Sequence, residues 1–168
     1  DQEVVCWGAG KSDAYCDPNN EIQDCGQSMV PDDLGTVRDL SAGIYHTCAV
    51  NTDNDVVCWG LGTGTQGCGD FNHPNTEWNC GQSIVPTNLP PASGVTTGEV
   101  HTCALVSGGN IQCWGAGTSV GTCNGSEWEC GQSIVPSDLD LPVRHVKAGY
   151  HHTCAVQNNH DIRCWGQN

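Results

Sequence analysis

The chain has 168 residues, and its 19 acidic residues against five lysines and arginines give a formal net charge of −14. This balance disfavours binding to nucleic acid and to anionic lipid, because both need a basic surface. Only 37% of the residues are hydrophobic, and no stretch keeps a 3.6-residue apolar period over a helix length, so the sequence predicts an all-β protein.

The cysteine content indicates an oxidising compartment. Thirteen cysteines in a lysine-poor chain are typical of a disulfide framework, so we expect an extracellular, secreted or cell-surface protein. A zinc site is disfavoured, because the chain has no C-x-x-C pair. No signal peptide or membrane span is visible, which predicts no membrane insertion and a mature or partial chain.

The chain opens inside a repeat, since residues 1–8 end on Val-Cys-Trp-Gly and predict the last strand of a preceding blade. Three units follow, at residues 9–60, 61–115 and 116–168. Successive Cys-Trp-Gly motifs are 51 to 55 residues apart. A period of this length indicates propeller blades or a solenoid.

Each unit has the same order of landmarks. A glycine-rich turn, a cysteine and a loop of variable length come first, followed by a Cys-Gly-Gln-Ser-x-Val-Pro block that begins at Cys25, Cys80 or Cys130. A run with leucine or valine then leads to a His-Thr-Cys segment and to the closing Cys-Trp-Gly. These apolar runs predict about four short strands per unit, and the proline confines the first of them to an edge or an end.

The His-Thr-Cys and Cys-Trp-Gly segments predict a β-hairpin, because two β-prone runs flank a polar turn. Their cysteines are ten residues apart and face each other when the turn is centred between them, close to disulfide distance. The predicted cross-strand disulfides are Cys48–Cys58, Cys103–Cys113 and Cys154–Cys164. Since side chains alternate along a strand, we assign the tryptophan to the core face and the cysteines to the other.

Six further cysteines flank the variable loops. They are predicted to pair as Cys16–Cys25, Cys68–Cys80 and Cys123–Cys130. Cys6 is then left over, and its partner is expected in a preceding repeat of a longer array or in a neighbouring molecule. A free buried thiol is the third alternative.

These landmarks resemble the regulator-of-chromosome-condensation (RCC1-like) repeat superfamily. They are similar to its extracellular cysteine-rich version, which occurs in secreted bacterial proteins and in the ectodomains of crinkly-type plant receptor kinases. The resemblance covers essentially the whole chain and implies four-stranded blades packed as a β-propeller, with an open blade array or superhelix as the alternative. The chain departs from the family in having three blades instead of about seven, in its Cys-Gly-Gln-Ser block, and at Thr97, where alanine is usual. No nucleotide-exchange residue maps onto it.

The candidate ligand site lies in the variable loops. Trp78 and Trp128 each precede a loop cysteine by two residues, and aromatic side chains there can stack on a sugar or contact a protein. The alternative is a lid over their own blade. Asn124 begins an Asn-x-Ser sequon and is a predicted N-glycosylation site.

Other recurring polar residues are interpreted as structural. His46, His101 and His152 are predicted to be hydrogen-bonding groups, with a metal ring as the alternative. The acidic runs at residues 53–55 and 138–140 lack EF-hand spacing, so no cofactor or metal is predicted and calcium is kept as the alternative. No catalytic residue is predicted, because the recurring serines lack a coupled base and acid.

The sequence therefore predicts a non-enzymatic extracellular structural repeat protein. Its blades are expected to associate with neighbouring copies or flanking repeats and to form part of a fibre or surface assembly. The alternative is a lectin-like or receptor-ectodomain propeller, which recognises a glycan or an extracellular protein through the variable Cys–Cys loops.

Overall fold

The structure is a computed structural model that describes residues 3–10, 24–64, 79–119 and 129–167. Within these ranges the fold is all-β, with nine strands and one short 3₁₀ turn. The strands are β1 (Val37–Ala42), β2 (His46–Asn51), β3 (Val56–Gly60), β4 (Ala92–Thr97), β5 (His101–Val106), β6 (Asn110–Gly115), β7 (His145–Ala148), β8 (His152–Val156) and β9 (Ile162–Gly166). No helix of the described ranges is long and apolar enough to cross a membrane.

The strands form three antiparallel sheets of three strands each, in the orders β1-β2-β3, β4-β5-β6 and β7-β8-β9. Every sheet is a simple meander in which the middle strand pairs with both neighbours. We refer to the three sheets with their preceding loops as repeats 1, 2 and 3. The all-β blade architecture is as predicted, with three strands instead of about four in the described part of each repeat.

The strand expected at the Gln-Ser-x-Val-Pro block is a tight turn instead. In repeat 1 the N–H of Met29 donates to the carbonyl of Gly26, and the equivalent bond recurs in the other two repeats at 2.9 to 3.0 Å. The proline at the end of the block has no N–H for a ladder. The local turn and the proline together remove the donors that a fourth strand needs.

The last two strands of every repeat place the predicted cysteine pair face to face. In repeat 1, Cys48 lies opposite Cys58 and Thr47 lies opposite Trp59, and the same register holds in repeats 2 and 3. The structure contains the disulfides Cys48–Cys58, Cys103–Cys113 and Cys154–Cys164, with Cα–Cα distances of 4.1, 4.0 and 4.0 Å. These are the three strand pairings that the sequence predicts.

The cysteine face of the hairpins is buried as well as the tryptophan face. This corrects the assignment of the core to the tryptophan face alone, since Cys48 and Cys103 are both 0% exposed. The core between repeats 1 and 2 combines Cys48 and Val50 with Ala104 and Trp114. The cysteine face of one repeat therefore packs on the tryptophan face of the next, as in stacked sheets that share their inner faces.

The glycine before each middle strand is required by close stacking of three turns. A Cβ added to Gly43 would lie 2.6 Å from the carbonyl oxygen of Gly98, and one added to Gly98 would lie 2.6 Å from that of Gly149. Only glycine leaves room for the neighbouring backbone at such distances. These turns bring equivalent positions of the three repeats together at one end of the stack.

Candidate functional site

The stacked faces are joined by a hydrogen-bond network that repeats along the molecule. Nε2 of His46 lies 2.8 Å from the hydroxyl of Thr102 in the next repeat, and this hydroxyl donates to the backbone carbonyl of Gln82 at 2.8 Å. Because the single hydroxyl proton is used on Gln82, Nε2 of His46 must be the donor to Thr102. The next junction repeats the contact between His101 and Thr153 at 3.0 Å.

The tryptophan of each hairpin donates to the same carbonyl group as the threonine. Nε1 of Trp114 lies 2.9 Å from the carbonyl oxygen of Gln82. Repeats 1 and 3 show the same bond, from Trp59 to Gln27 and from Trp165 to Gln132, both at 2.9 Å. One carbonyl thus accepts two hydrogen bonds, which fills its capacity and fixes the Cys-Gly-Gln-Ser turn against its hairpin.

The glutamine and serine side chains hold that turn in place. In repeat 2, Oε1 of Gln82 accepts the N–H of Cys80 at 2.8 Å, and the hydroxyl of Ser83 donates to the carbonyl of Leu61 at 2.5 Å. Equivalent bonds occur in repeats 1 and 3. Sequence reasoning identified these residues as landmarks without a role, and the available signal was the recurrence of the glutamine 32 or 33 residues before the tryptophan of its hairpin.

The junction histidines are neutral. His46 and His101 are 0% exposed. Burial, with His101 nearby, lowers the pKa of His46 to about 3, and burial, with His151 and His152 nearby, lowers the pKa of His101 to about 4. Nδ1 of both rings has no hydrogen-bond partner among the described residues, as expected for an imidazole that carries its proton on Nε2.

The cysteine face is the side of each hairpin that carries the disulfide. It is buried at the junction between repeats 1 and 2 and at the junction between repeats 2 and 3, but it is uncovered in repeat 3. His152 occupies the position of His46 and is exposed. Ile162 occupies the position of Val56, and it is 72% exposed whereas Val56 is 8% exposed. Within the described ranges no repeat covers this face.

Residues 3–8 expose side chains of the kind that cover a cysteine face inside the molecule. Val4 and Cys6 pack on the tryptophan face of repeat 1, so they take the place of a cysteine face. Val5 and Trp7 alternate with them and are 73% and 82% exposed. Trp7 occupies the motif position of Trp59, which is 7% exposed, but no described residue covers its ring, and its packing against a preceding repeat stays a prediction.

Comparison with known proteins identifies the repeats. Residues 37–69 and 143–168 match the family model of the regulator of chromosome condensation (RCC1) repeat. A stretch of 106 residues is 34% identical to the ultraviolet-B receptor UVR8 of Arabidopsis thaliana, which covers 56% of this chain and 24% of that protein. The two matched segments are RCC1-like repeats, and the matches together support an RCC1-like repeat protein.

Solved structures share the RCC1-like fold. Human WBSCR16 superposes with a TM-score of 0.55 and 18% identity, over 83% of this chain and 37% of its own. The ectodomain of the receptor kinase CR4 from Physcomitrella patens superposes with a TM-score of 0.52 and 22% sequence identity, over 80% of this chain and 32% of its own length. At this identity the likeness concerns the fold, and the RCC1-like chain spans about a third of each structure.

The predicted ligand loops of the RCC1-like repeats lie outside the described residues. This applies to Trp78, Trp128, the sequon at Asn124, and the loop cysteines Cys16, Cys68 and Cys123. The other cysteine of each loop pair, Cys25, Cys80 or Cys130, is disulfide-bonded. The pairings Cys16–Cys25, Cys68–Cys80 and Cys123–Cys130, the glycosylation site and the aromatic ligand site stay predictions.

Cys6 is the one cysteine with a free thiol in the described part of the chain. Its side chain is half-buried against the tryptophan face of repeat 1, and burial raises the pKa of its thiol. A raised pKa lowers the thiolate fraction and so slows disulfide exchange. Pairing with a preceding repeat or with a neighbouring molecule stays a prediction.

Several of the residues considered for metal binding take part in hydrogen bonds within the chain. Across the described ranges no three His, Cys, Asp or Glu side chains are grouped so that they could hold an ion. His46 bonds a threonine of the next repeat. In the first acidic run the side chain of Asn51 accepts the N–H groups of Asp53 and Asp55 at 3.0 and 2.8 Å, and in the second Asp140 accepts the N–H of Asn159 at 3.1 Å.

Proposed function

We propose that this RCC1-like chain is a non-enzymatic extracellular structural protein whose copies join head to tail. The observation that carries the proposal is the uncovered cysteine face of repeat 3, because the same face is buried by the next repeat at both internal junctions. Ile162 lies on this face and is 72% exposed. Burying one such side chain is worth roughly 1.5–3 kcal/mol, so a covering partner is favoured.

The chain also carries a surface of the kind that covers cysteine faces internally. At the first junction a tryptophan and its neighbours pack on the cysteine face of the preceding repeat. Trp7 and Val5 offer the same side-chain types at the other end of the molecule and are exposed. Contact of repeat 3 with residues 3–8 of a second copy is heterologous, so it builds a filament or a closed ring.

The extracellular assignment is supported by the disulfides of all three described hairpins. Such bonds persist in oxidising compartments and are rare in the cytosol. The non-enzymatic assignment is supported by the use of the recurring polar residues. His46 and His101 are 0% exposed and bonded across the junctions, and Gln82 is 0% exposed and bonded within its own turn, so they have no access to a substrate.

The test is sedimentation velocity over a range of protein concentrations, with one variant for each end. Ile162→Asp and Trp7→Asp are each expected to remain monomeric, because a charge placed in an apolar contact must be desolvated. An equimolar mixture of the two variants is expected to form a dimer and nothing larger, since one intact face remains on each partner. Leu141→Asp is the control, because Leu141 is 46% exposed and adjoins Pro142, which lies near Gly109 of repeat 2.

Circular dichroism confirms that each variant is folded before it is compared. Wild-type protein that stays monomeric at all concentrations overturns the proposal. So does assembly that persists in both end variants. A folded pair of variants that does not form the mixed dimer excludes the head-to-tail geometry.

A further inference from the structure

A carboxylate is buried between the turns of repeats 2 and 3. Glu99 follows Gly98 in the turn before β5 and is 1% exposed. Its Oε2 lies 2.7 Å from Nε2 of His151. Its Oε1 is also closed to water, yet it has no hydrogen-bond partner among the described residues. A buried carboxylate oxygen without a donor is costly, which indicates that a donor comes from elsewhere.

Glu99 lines a cleft of about 300 Å³ that crosses the three stacked glycine turns. Its walls are residues 42–44 of repeat 1, residues 97–99 of repeat 2, and Gly149 and Tyr150 of repeat 3. We call it the Glu99 cleft. Apart from Glu99 its lining is uncharged, so the carboxylate dominates its electrostatics.

Tyr150 is the movable part of the cleft. Its side chain is 53% exposed, and its ring centroid lies 4.5 Å from that of His151. Hydrogen bonding to the Glu99 carboxylate, together with burial, raises the pKa of Tyr150, but its hydroxyl does not meet Oε1 in hydrogen-bonding geometry. An exposed ring of this kind changes rotamer rapidly and can admit a side chain from outside.

The described chain supplies no lysine or arginine to this carboxylate. The described basic residues are Arg38, Arg144, Lys147 and Arg163, and none of them lines the Glu99 cleft. Two of the guanidinium groups bond backbone carbonyls of hairpin turns, and a third meets an aspartate at the surface. The cleft therefore holds an acid and one aromatic ring, and no described lysine or arginine lines it.

We propose that the Glu99 cleft binds an arginine side chain of a protein partner. A guanidinium N–H donates to Oε1 of Glu99 and completes its hydrogen bonding. The planar guanidinium stacks on the Tyr150 ring, a pairing that arginine makes better than lysine. The net charge of −14 attracts a basic partner over longer range. The proposal does not depend on the head-to-tail contact, although residues 42–44 line both the Glu99 cleft and the groove beside Trp7.

The test is an amide NMR titration of the full chain with the peptide acetyl-Gly-Arg-Gly-amide. The control peptide carries citrulline in place of arginine, which keeps the shape and removes the charge. Saturable shifts at Gly98, Glu99 and Tyr150 are expected with the arginine peptide alone. Glu99→Gln keeps the size of the side chain and is expected to weaken binding about tenfold or more, in line with the loss of a charge-assisted hydrogen bond. Asp138→Asn, at a surface acid, is expected to bind as wild type.

A second variant keeps the test decisive if Glu99→Gln does not fold. Tyr150→Ala removes a half-exposed ring and is expected to fold and to bind about threefold more weakly, because the cation–π contact is lost. Equal binding of the citrulline peptide overturns the proposal. Absence of a saturable shift in wild type does so too, as does wild-type affinity in a folded Glu99→Gln or Tyr150→Ala variant.

Discussion

Thr102 joins two repeats through one hydroxyl group. It accepts a hydrogen bond from His46 of the preceding repeat and donates one to Gln82 of its own. It also lies 3.9 Å from the sulfur of Cys48. Since side chains alternate along a strand, the His-Thr-Cys triplet sends His and Cys to one junction and Thr to the other. This alternation explains why the three residues recur together.

We expect acid to destabilise the stack through His46 and His101. Their pKa values of about 3 and about 4 in the folded chain lie below the ordinary histidine value of about 6.5. The contribution of these neutral histidines to the free energy of unfolding is therefore fully present above about pH 6.5. It is lost as the pH falls toward the pKa values of the folded chain, because the unfolded chain takes up protons first. Between about pH 7 and about pH 5, each histidine is expected to cost about 2 kcal/mol of unfolding free energy, measured by guanidinium denaturation.

Two variants separate this effect from general acid denaturation. His46→Gln is expected to show a shallower fall of stability with pH, because one of the two buried histidines is gone. His145→Gln, at an exposed position of β7, is expected to keep the wild-type slope. Identical slopes for wild type and both variants would contradict the assignment.

At the scale of the element, the hairpin combines a local bridge with a junction surface. Every hairpin closes its disulfide across a separation of 10 residues. Cys48–Cys58 lies in the core between repeats 1 and 2, whereas Cys164 of the third bridge is exposed. Equivalent disulfides therefore lie in two different environments, one in a packed junction and one at the surface.

This difference predicts unequal costs for removing two equivalent bridges. Replacing either Cys48 and Cys58 or Cys154 and Cys164 by alanine is expected to cost about 3 kcal/mol from chain entropy, because the loop lengths are the same. The first replacement also removes buried sulfur from a packed junction, which is expected to add about 1 kcal/mol or more. Urea unfolding of the two double variants measures the difference, and equal losses would show that the junction packing contributes nothing.

At the scale of the whole molecule, charge opposes the proposed assembly. Each copy carries a net charge of −14, so two copies repel each other at low ionic strength. The proposed contact is made by apolar groups, with Ile162 and Trp7 at its centre, so it gains little from charge pairing. Three of the basic residues, Arg38, Arg144 and Lys147, line a separate groove.

If copies join as proposed, added salt is expected to strengthen the association. Raising the ionic strength from about 0.01 M to about 0.15 M shortens the screening length from about 30 Å to about 8 Å, which weakens the repulsion. Sedimentation equilibrium at the two ionic strengths measures the change. Association that weakens with salt would indicate an ionic contact instead of the apolar one.

Much of each repeat could be predicted from the sequence because its determinants are local. The ten-residue cysteine spacing and the strand period of two place Cys48 opposite Cys58 without reference to the rest of the chain. The fourth strand was the local error, since the turn at Met29 and the following proline remove its donors. The roles of the Thr102 hydroxyl and of the Gln82 carbonyl group were out of reach, because the partners of these groups lie at least 20 residues away.

By itself, therefore, the sequence determined the repeat, its hairpin and its cross-strand disulfides. Only the tertiary structure decided which faces are buried, that Trp7 is exposed, and that Glu99 lies in a cleft made by three turns. Spacing along the chain sets which residues face each other within one hairpin. Burial depends on what packs against the second face, and that surface comes from another repeat about 50 residues away.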